Sequence, residues 1–188
     1  YALILTLITA WTSIAAQGSN IGIPPLHHFS RKTYSGGTQN WDSGQDRQGA
    51  MYWANNEGVL RFDGSNWSLF PVSNQTIVRS VAIDSTGRIF AGAQGELGYF
   101  APSPNGVLTY TSLTGKIAGS RRTFEDVWDI VFYGGAVFFR TNHEVFRYHQ
   151  DRMEGVAEGG ELMGMFATPQ GLFIHKAQEG ILKYENGV

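Results

Sequence analysis

A short string recurs four times along the chain: GVLRF at 58–62, GELGY at 95–99, EVFRY at 144–148 and GILKY at 180–184. Self-similarity at a period of roughly 20–50 residues restricts a chain to a few stacked architectures. The final aromatics Phe62, Tyr99, Tyr148 and Tyr184 stand 37, 49 and 36 residues apart. A second set of anchors, Gly49, Gly87, Gly135 and Gly171, runs 9, 8, 9 and 9 residues ahead of Gly58, Gly95, Glu144 and Gly180. Between the two sets lie the apolar strings AMYWAN, RIFAGA, AVFFRT and LFIHKA, and upstream lie WDSGQD, VRSVAID, VWDIVFY and MGMFAT. Each unit reads as strand, tight turn, strand, short loop, strand.

The corners support this reading. DRQG (46–49) and DSTG (84–87) place Asp first and Gly fourth in a turn, where the carboxylate accepts backbone N–H groups. YGG (133–135) and TPQG (168–171) make the same corner by other means. An Asp-x-x-Gly pair also suits calcium, but these loops lack the several carboxylates a calcium cage needs. DGSN (63–66) signals a hairpin into a fourth strand, WSLFPV (67–72), and a longer loop in the second unit leads to VLTYTSL (107–113). Four short antiparallel strands per unit describe a propeller blade. The fold expected is all-β: a β-propeller of four-stranded antiparallel blades, with about four blades present as part of a larger, seven-bladed ring.

The ends divide the chain further. ALILTLITAWTSIAA (2–16) is uncharged, apolar and closes on small residues, as a secretory signal does. It is shorter than the roughly 20 residues of a membrane span; a buried strand or helix is the bland alternative. No Met or positive n-region precedes it, so residues 1–16 are expected to be a signal peptide truncated at its start. Residues 21–38 form an N-terminal segment in which LHHF (26–29) is expected to be an outermost strand that pairs with the last blade and closes the ring. Residues 39–188 form the blades. KYENGV (183–188) matches RFDGSN (61–66), so the last blade is expected to be incomplete and the protein to continue.

Composition excludes several functions. The net charge is −2 with no basic run, which argues against a nucleic-acid surface. There is no cysteine, hence no disulfide framework, thiolate metal site or thiol nucleophile. No Ser-His-Asp order, phosphate loop or zinc spacing occurs. His27 and His28 are adjacent, so on a strand they would face opposite sides. Glu125, Asp126 and Asp129 are an acidic cluster that more often marks a surface than paired acid–base catalysis.

If the units align as blades, Trp41, Arg79, Trp128 and Met163 fall at equivalent starts of inner strands, around the mouth of the central channel. Trp41, Arg79 and Trp128 are the candidate ligand-binding residues. Indole faces stack on a sugar ring, and a guanidinium fork holds hydroxyls or a uronate carboxylate. The competing reading packs both Trp side chains between blades and leaves Arg79 as the surface group. No catalytic or metal-binding residue and no cofactor is expected.

QDRQGAMYWANNEGVLRFDGSNW (45–67) and AIDSTGRIFAGAQGELGYF (82–100) resemble the two-component regulator propeller repeat. GIPPLHHFSRKTYSGGTQNW (22–41) and FEDVWDIVFYGGAVFFRTNHEVFRY (124–148) are similar to the opening of the periplasmic sensor region in that family. The resemblance implies a non-enzymatic, periplasmic, ligand-sensing part of an inner-membrane receptor. It further implies more blades, an immunoglobulin-like triple-tyrosine domain and a histidine kinase or DNA-binding module downstream. The implied partners are a small-molecule or oligosaccharide ligand and a second copy of the full-length receptor, with no nucleic acid bound through this region. The other classes left open are a secreted propeller enzyme acting on glycans and a protein-interaction propeller.

Overall fold

The computed structural model describes residue 22 and residues 26–185. The expected signal peptide and the final hairpin residues 186–188 lie outside the described residues. The rest is built from fifteen strands in four antiparallel sheets, three of four strands and one of three.

The first blade contains β1 (Asn40–Gln45), β2 (Met51–Asn55), β3 (Gly58–Phe62) and β4 (Trp67–Phe70). The second contains β5 (Val78–Ile83), β6 (Ile89–Ala93), β7 (Glu96–Pro102) and β8 (Leu108–Ser112). The third contains β9 (Asp129–Tyr133), β10 (Ala136–Arg140), β11 (Glu144–His149) and β12 (Arg152–Glu158). The fourth contains β13 (Leu162–Thr168), β14 (Gly171–Lys176) and β15 (Gly180–Tyr184). Within every blade the strands pair in sequence order, and the first strands β1, β5, β9 and β13 pack in succession along the channel. The all-β propeller is therefore the fold.

The Asp corners form as the turn chemistry dictates. Asp46 Oδ1 accepts the N–H groups of Gln48 and Ala50, and Asp84 Oδ1 accepts those of Thr86 and Arg88. Gly49 and Gly87 close these turns at φ of 90° and 86°.

The pairing register corrects the sequence anchors in two units. Met51 pairs with Phe62, Ile89 with Phe100, Val137 with Tyr148 and Leu172 with Tyr184. Phe100, not Tyr99, therefore occupies the position of Phe62. The reason is that the two glycines do different jobs. Gly58 is the first residue of β3, where an added Cβ would lie 2.5 Å from the Phe70 carbonyl oxygen, whereas Gly95 sits inside the turn between β6 and β7. In the fourth unit, likewise, Gly171 pairs with Thr168 and already belongs to β14, because a two-residue turn replaces the Asp corner.

Alternation in the middle strands then determines the core. Blades one and two share a layer in which Tyr52, Ala54 and Val59 meet Val81, Ile89, Ala91 and Phe100. Phe90 and Leu97 meet Val137, Phe139 and Phe146 between blades two and three. Phe138 and Val145 meet Met165, Leu172 and Ile174 between blades three and four. Successive residues of one strand thus enter different layers, as Phe138 and Phe139 do.

The segment before the first blade docks beside β4. Residues 26–30 form no strand and are followed by a short helix, α1 (Arg31–Tyr34). Phe29 lies 5.2 Å from the rings of both Phe62 and Trp67, and Tyr34 lies 5.5 Å from Trp67. Two aromatic side chains thus dock this segment on the first blade. Buried Asn55 ties it down, with Oδ1 accepting the Gly37 N–H and Nδ2 donating to the carbonyls of Gly37 and Gln39.

Substituting Phe139→Ala should remove about 3–5 kcal/mol of unfolding free energy, measured by urea denaturation. Burial, and then a hydrogen bond donated to Asp151, push the Tyr148 hydroxyl up to about 12. Its folded value exceeds the unfolded one, so this stabilisation is full below about pH 10 and is lost as pH approaches about 12. Thermal melts from pH 8 to 12 should show a shallower alkaline loss in Tyr148→Phe.

Candidate functional site

At the start of the inner strands the chain makes the same local irregularity again and again. Pairing skips between Asn40 and Asp42 in β1, between Val78 and Ser80 in β5, and between Leu162 and Gly164 in β13. The skipped residues are Trp41, Arg79 and Met163. A bulge of this kind re-aims one side chain out of the pleat. Trp128 stands just before β9 and donates its N–H to the Arg140 carbonyl. The positions read as equivalent in the sequence are equivalent in space.

Three of the four come together. The Arg79 guanidinium carbon lies 4.0 Å from the Trp41 ring centroid and 5.0 Å from that of Trp128. The two indoles meet edge to face at 5.9 Å. Each indole N–H is anchored within its own blade: Trp41 donates to Asn56 Oδ1 at 2.8 Å and Trp128 to Asn142 Oδ1 at 2.6 Å. Met163 is exposed and does not line the cleft; Met165 does.

Arg79 is not the free surface donor that the sequence suggested. Its side chain is only 12 % exposed and pairs with Asp126, with Nε 2.9 Å from Oδ1. Its Nη1 is buried with no hydrogen-bond partner. The cation is held by two π faces and one carboxylate, an arrangement in which a desolvated cation–π contact contributes about 2 kcal/mol. The Trp residues divide their roles: Trp41 remains 39 % exposed, whereas Trp128 is half-buried.

The residue following each bulge position joins neighbouring blades. Asp42 Oδ2 accepts the Val81 N–H at 3.0 Å, and Asp129 Oδ2 accepts the Met165 N–H at 2.9 Å. Ser80 Oγ donates to the Val127 carbonyl at 2.8 Å. A Cβ on Gly92 would collide with that hydroxyl and with Val127, so the close approach needs glycine. The fourth position is Gly164, which has no side chain to reach onward.

Sequence reasoning passed over Asp42 and weighed Asp129 only as a member of the acidic cluster. The signal available was the dipeptide Trp-Asp, present at 41–42 and again at 128–129. The acidic cluster divides among separate partners: Asp126 holds Arg79, Asp129 holds Arg140, and Glu125 accepts from Asn142 Nδ2. Among the described residues no group of three or more His, Asp or Glu is placed to hold a metal ion. Trp41, Asp42, Arg79, Trp128, Asp129 and Met165 line an open cleft of about 310 Å³.

With this geometry in view, comparison with solved structures is informative. The extracellular domain of the hybrid two-component system BT3049 from B. thetaiotaomicron superposes with a TM-score of 0.60 at 17% identity, over 82% of this chain and 22% of that one. The corresponding domain of BT4673 from the same organism gives 0.58 at 12% identity, over 76% and 19%. The Xanthomonas campestris gluconolactonase XC5397 gives 0.58 at 15% identity, over 83% and 62%. The chain shares their fold. It spans about a fifth of the length of the two extracellular domains. No protein-family profile and no curated protein sequence matches it.

Arg79→Ala should cost about 3 kcal/mol, because it leaves Asp126 half-buried without its cation. The same variant should shift tryptophan emission to longer wavelength as the indoles gain water. Chemical denaturation and fluorescence spectra test both effects.

Proposed function

We propose that the chain is part of an exported, ligand-sensing propeller of a bacterial signalling receptor, and that it binds a carbohydrate at the channel mouth. One observation carries the reading: Trp41, its ring clamped by Asn56 and Arg79, stays 39 % exposed in the lining of a cleft with polar walls. A rigid indole loses little entropy on stacking and covers the C–H face of a sugar well. The fold likeness to extracellular domains of two-component systems agrees with a sensor role. In this reading the region transmits rather than reacts, and it works from the periplasmic side of the inner membrane. Further blades, an immunoglobulin-like domain and a kinase or DNA-binding module complete the receptor, which acts as a homodimer.

The fold likeness to a gluconolactonase keeps an enzymatic propeller as the competing reading. The carboxylates nearest the cleft are engaged with Arg79, Arg140 and backbone N–H groups, which suits a binding wall better than an acid–base pair.

The test is a transcriptional reporter driven by the full-length protein in its host, challenged with digests of different polysaccharides. Trp41→Ala should abolish or reduce the response at least tenfold while the protein stays at its normal level. An unchanged response in that variant would remove the cleft from the sensing pathway. Turnover of a lactone or glycan by the purified protein would favour the enzyme.

A further inference from the structure

The cleft has an aromatic face, but its hydrogen-bonding character is one-sided. Arg79 spends Nε and Nη2 on Asp126, and its Nη1 is sealed between the rings. Arg140 is turned inward, with Nε on Asp129 and Nη1 on the Leu162 carbonyl. Both indole N–H groups are committed to Asn56 and Asn142. The groups that would greet an anion are therefore either paired or, like Arg79 Nη1, closed off from solvent.

The acceptors are not. Asp129 is 30 % exposed, and among the described residues its Oδ1 accepts no hydrogen bond. Asp42 is exposed, and each of its oxygens accepts a single N–H, from Ser43 and from Val81. A carboxylate oxygen has a second acceptor site, so both residues can receive further donors. The charge tally agrees, since Asp126 cancels Arg79 and Arg140 cancels Asp129, which leaves Asp42 in excess.

We infer that this cleft discriminates against anionic sugars: it takes a neutral oligosaccharide whose ring stacks on Trp41 and whose hydroxyls donate to Asp42 and Asp129, and it rejects uronic-acid and sulfated sugars. The inference rests on the cleft being the ligand site. A carboxylate or sulfate here would face acceptors and a net negative wall, with no free donor to offset its desolvation. It reverses the simpler expectation from sequence, in which Arg79 would hold a uronate.

The experiment is calorimetric titration of the full-length protein with two hexasaccharide sets: neutral (cello-, xylo-, manno- and malto-) and uronic (galacturonate and alginate). At least one neutral member should bind, at least tenfold more tightly than any uronic one. Trp41→Ala should weaken it at least tenfold, and Asp42→Asn about fivefold. A uronate that binds as tightly as the best neutral sugar, and is lost in Trp41→Ala, would overturn the selectivity while leaving the cleft as the site. Neutral binding insensitive to Trp41→Ala, or no binding in any set, would overturn the cleft as the site and the selectivity with it.

Discussion

Every blade in this chain depends on burying both faces of a small sheet at once. Strands of four to seven residues cannot shelter enough apolar surface alone, so each sheet has to become the floor of one layer and the roof of the next. Phe138 and Phe139, adjacent in β10, enter separate layers and lock three successive blades together. The repeat in the sequence is the trace of this requirement.

The channel mouth is organised by different forces. There the strands bulge, and polar side chains rather than apolar ones reach from blade to blade. The Asp42–Val81 and Asp129–Met165 hydrogen bonds and the Ser80–Val127 contact align neighbouring inner strands, while Arg79 gathers groups from three blades into one stack. The result is a rim in which the Trp41 indole is fixed in place yet remains exposed. Preorganisation of this kind limits the entropy lost when a ligand arrives.

The sequence made the blades legible because alternation and turn chemistry are local. It was less reliable by a single residue where two glycines looked alike: Gly58 is demanded by close backbone approach and Gly95 by a turn, and spacing alone does not separate these causes. Trp41, Arg79 and Trp128 were found as equivalent positions, but the fate of Arg79 was hidden. Its partner Asp126 lies 47 residues away and reaches it only through the packing of whole blades. The docking of LHHF was hidden for a related reason: the site for Phe29 on Phe62 and Trp67 exists only once the first blade has folded.

The bulge positions carry an evolutionary consequence. At each inner-strand start the chain path is held by the residues on either side, so the backbone irregularity does not depend on which side chain stands in between. Trp, Arg and Met occupy three such positions with the same backbone beneath them. A ring made by duplicating one blade thus inherits a set of interchangeable sockets around its mouth. New recognition properties can arise by exchanging a few plugs, with the layered interior passed on unchanged.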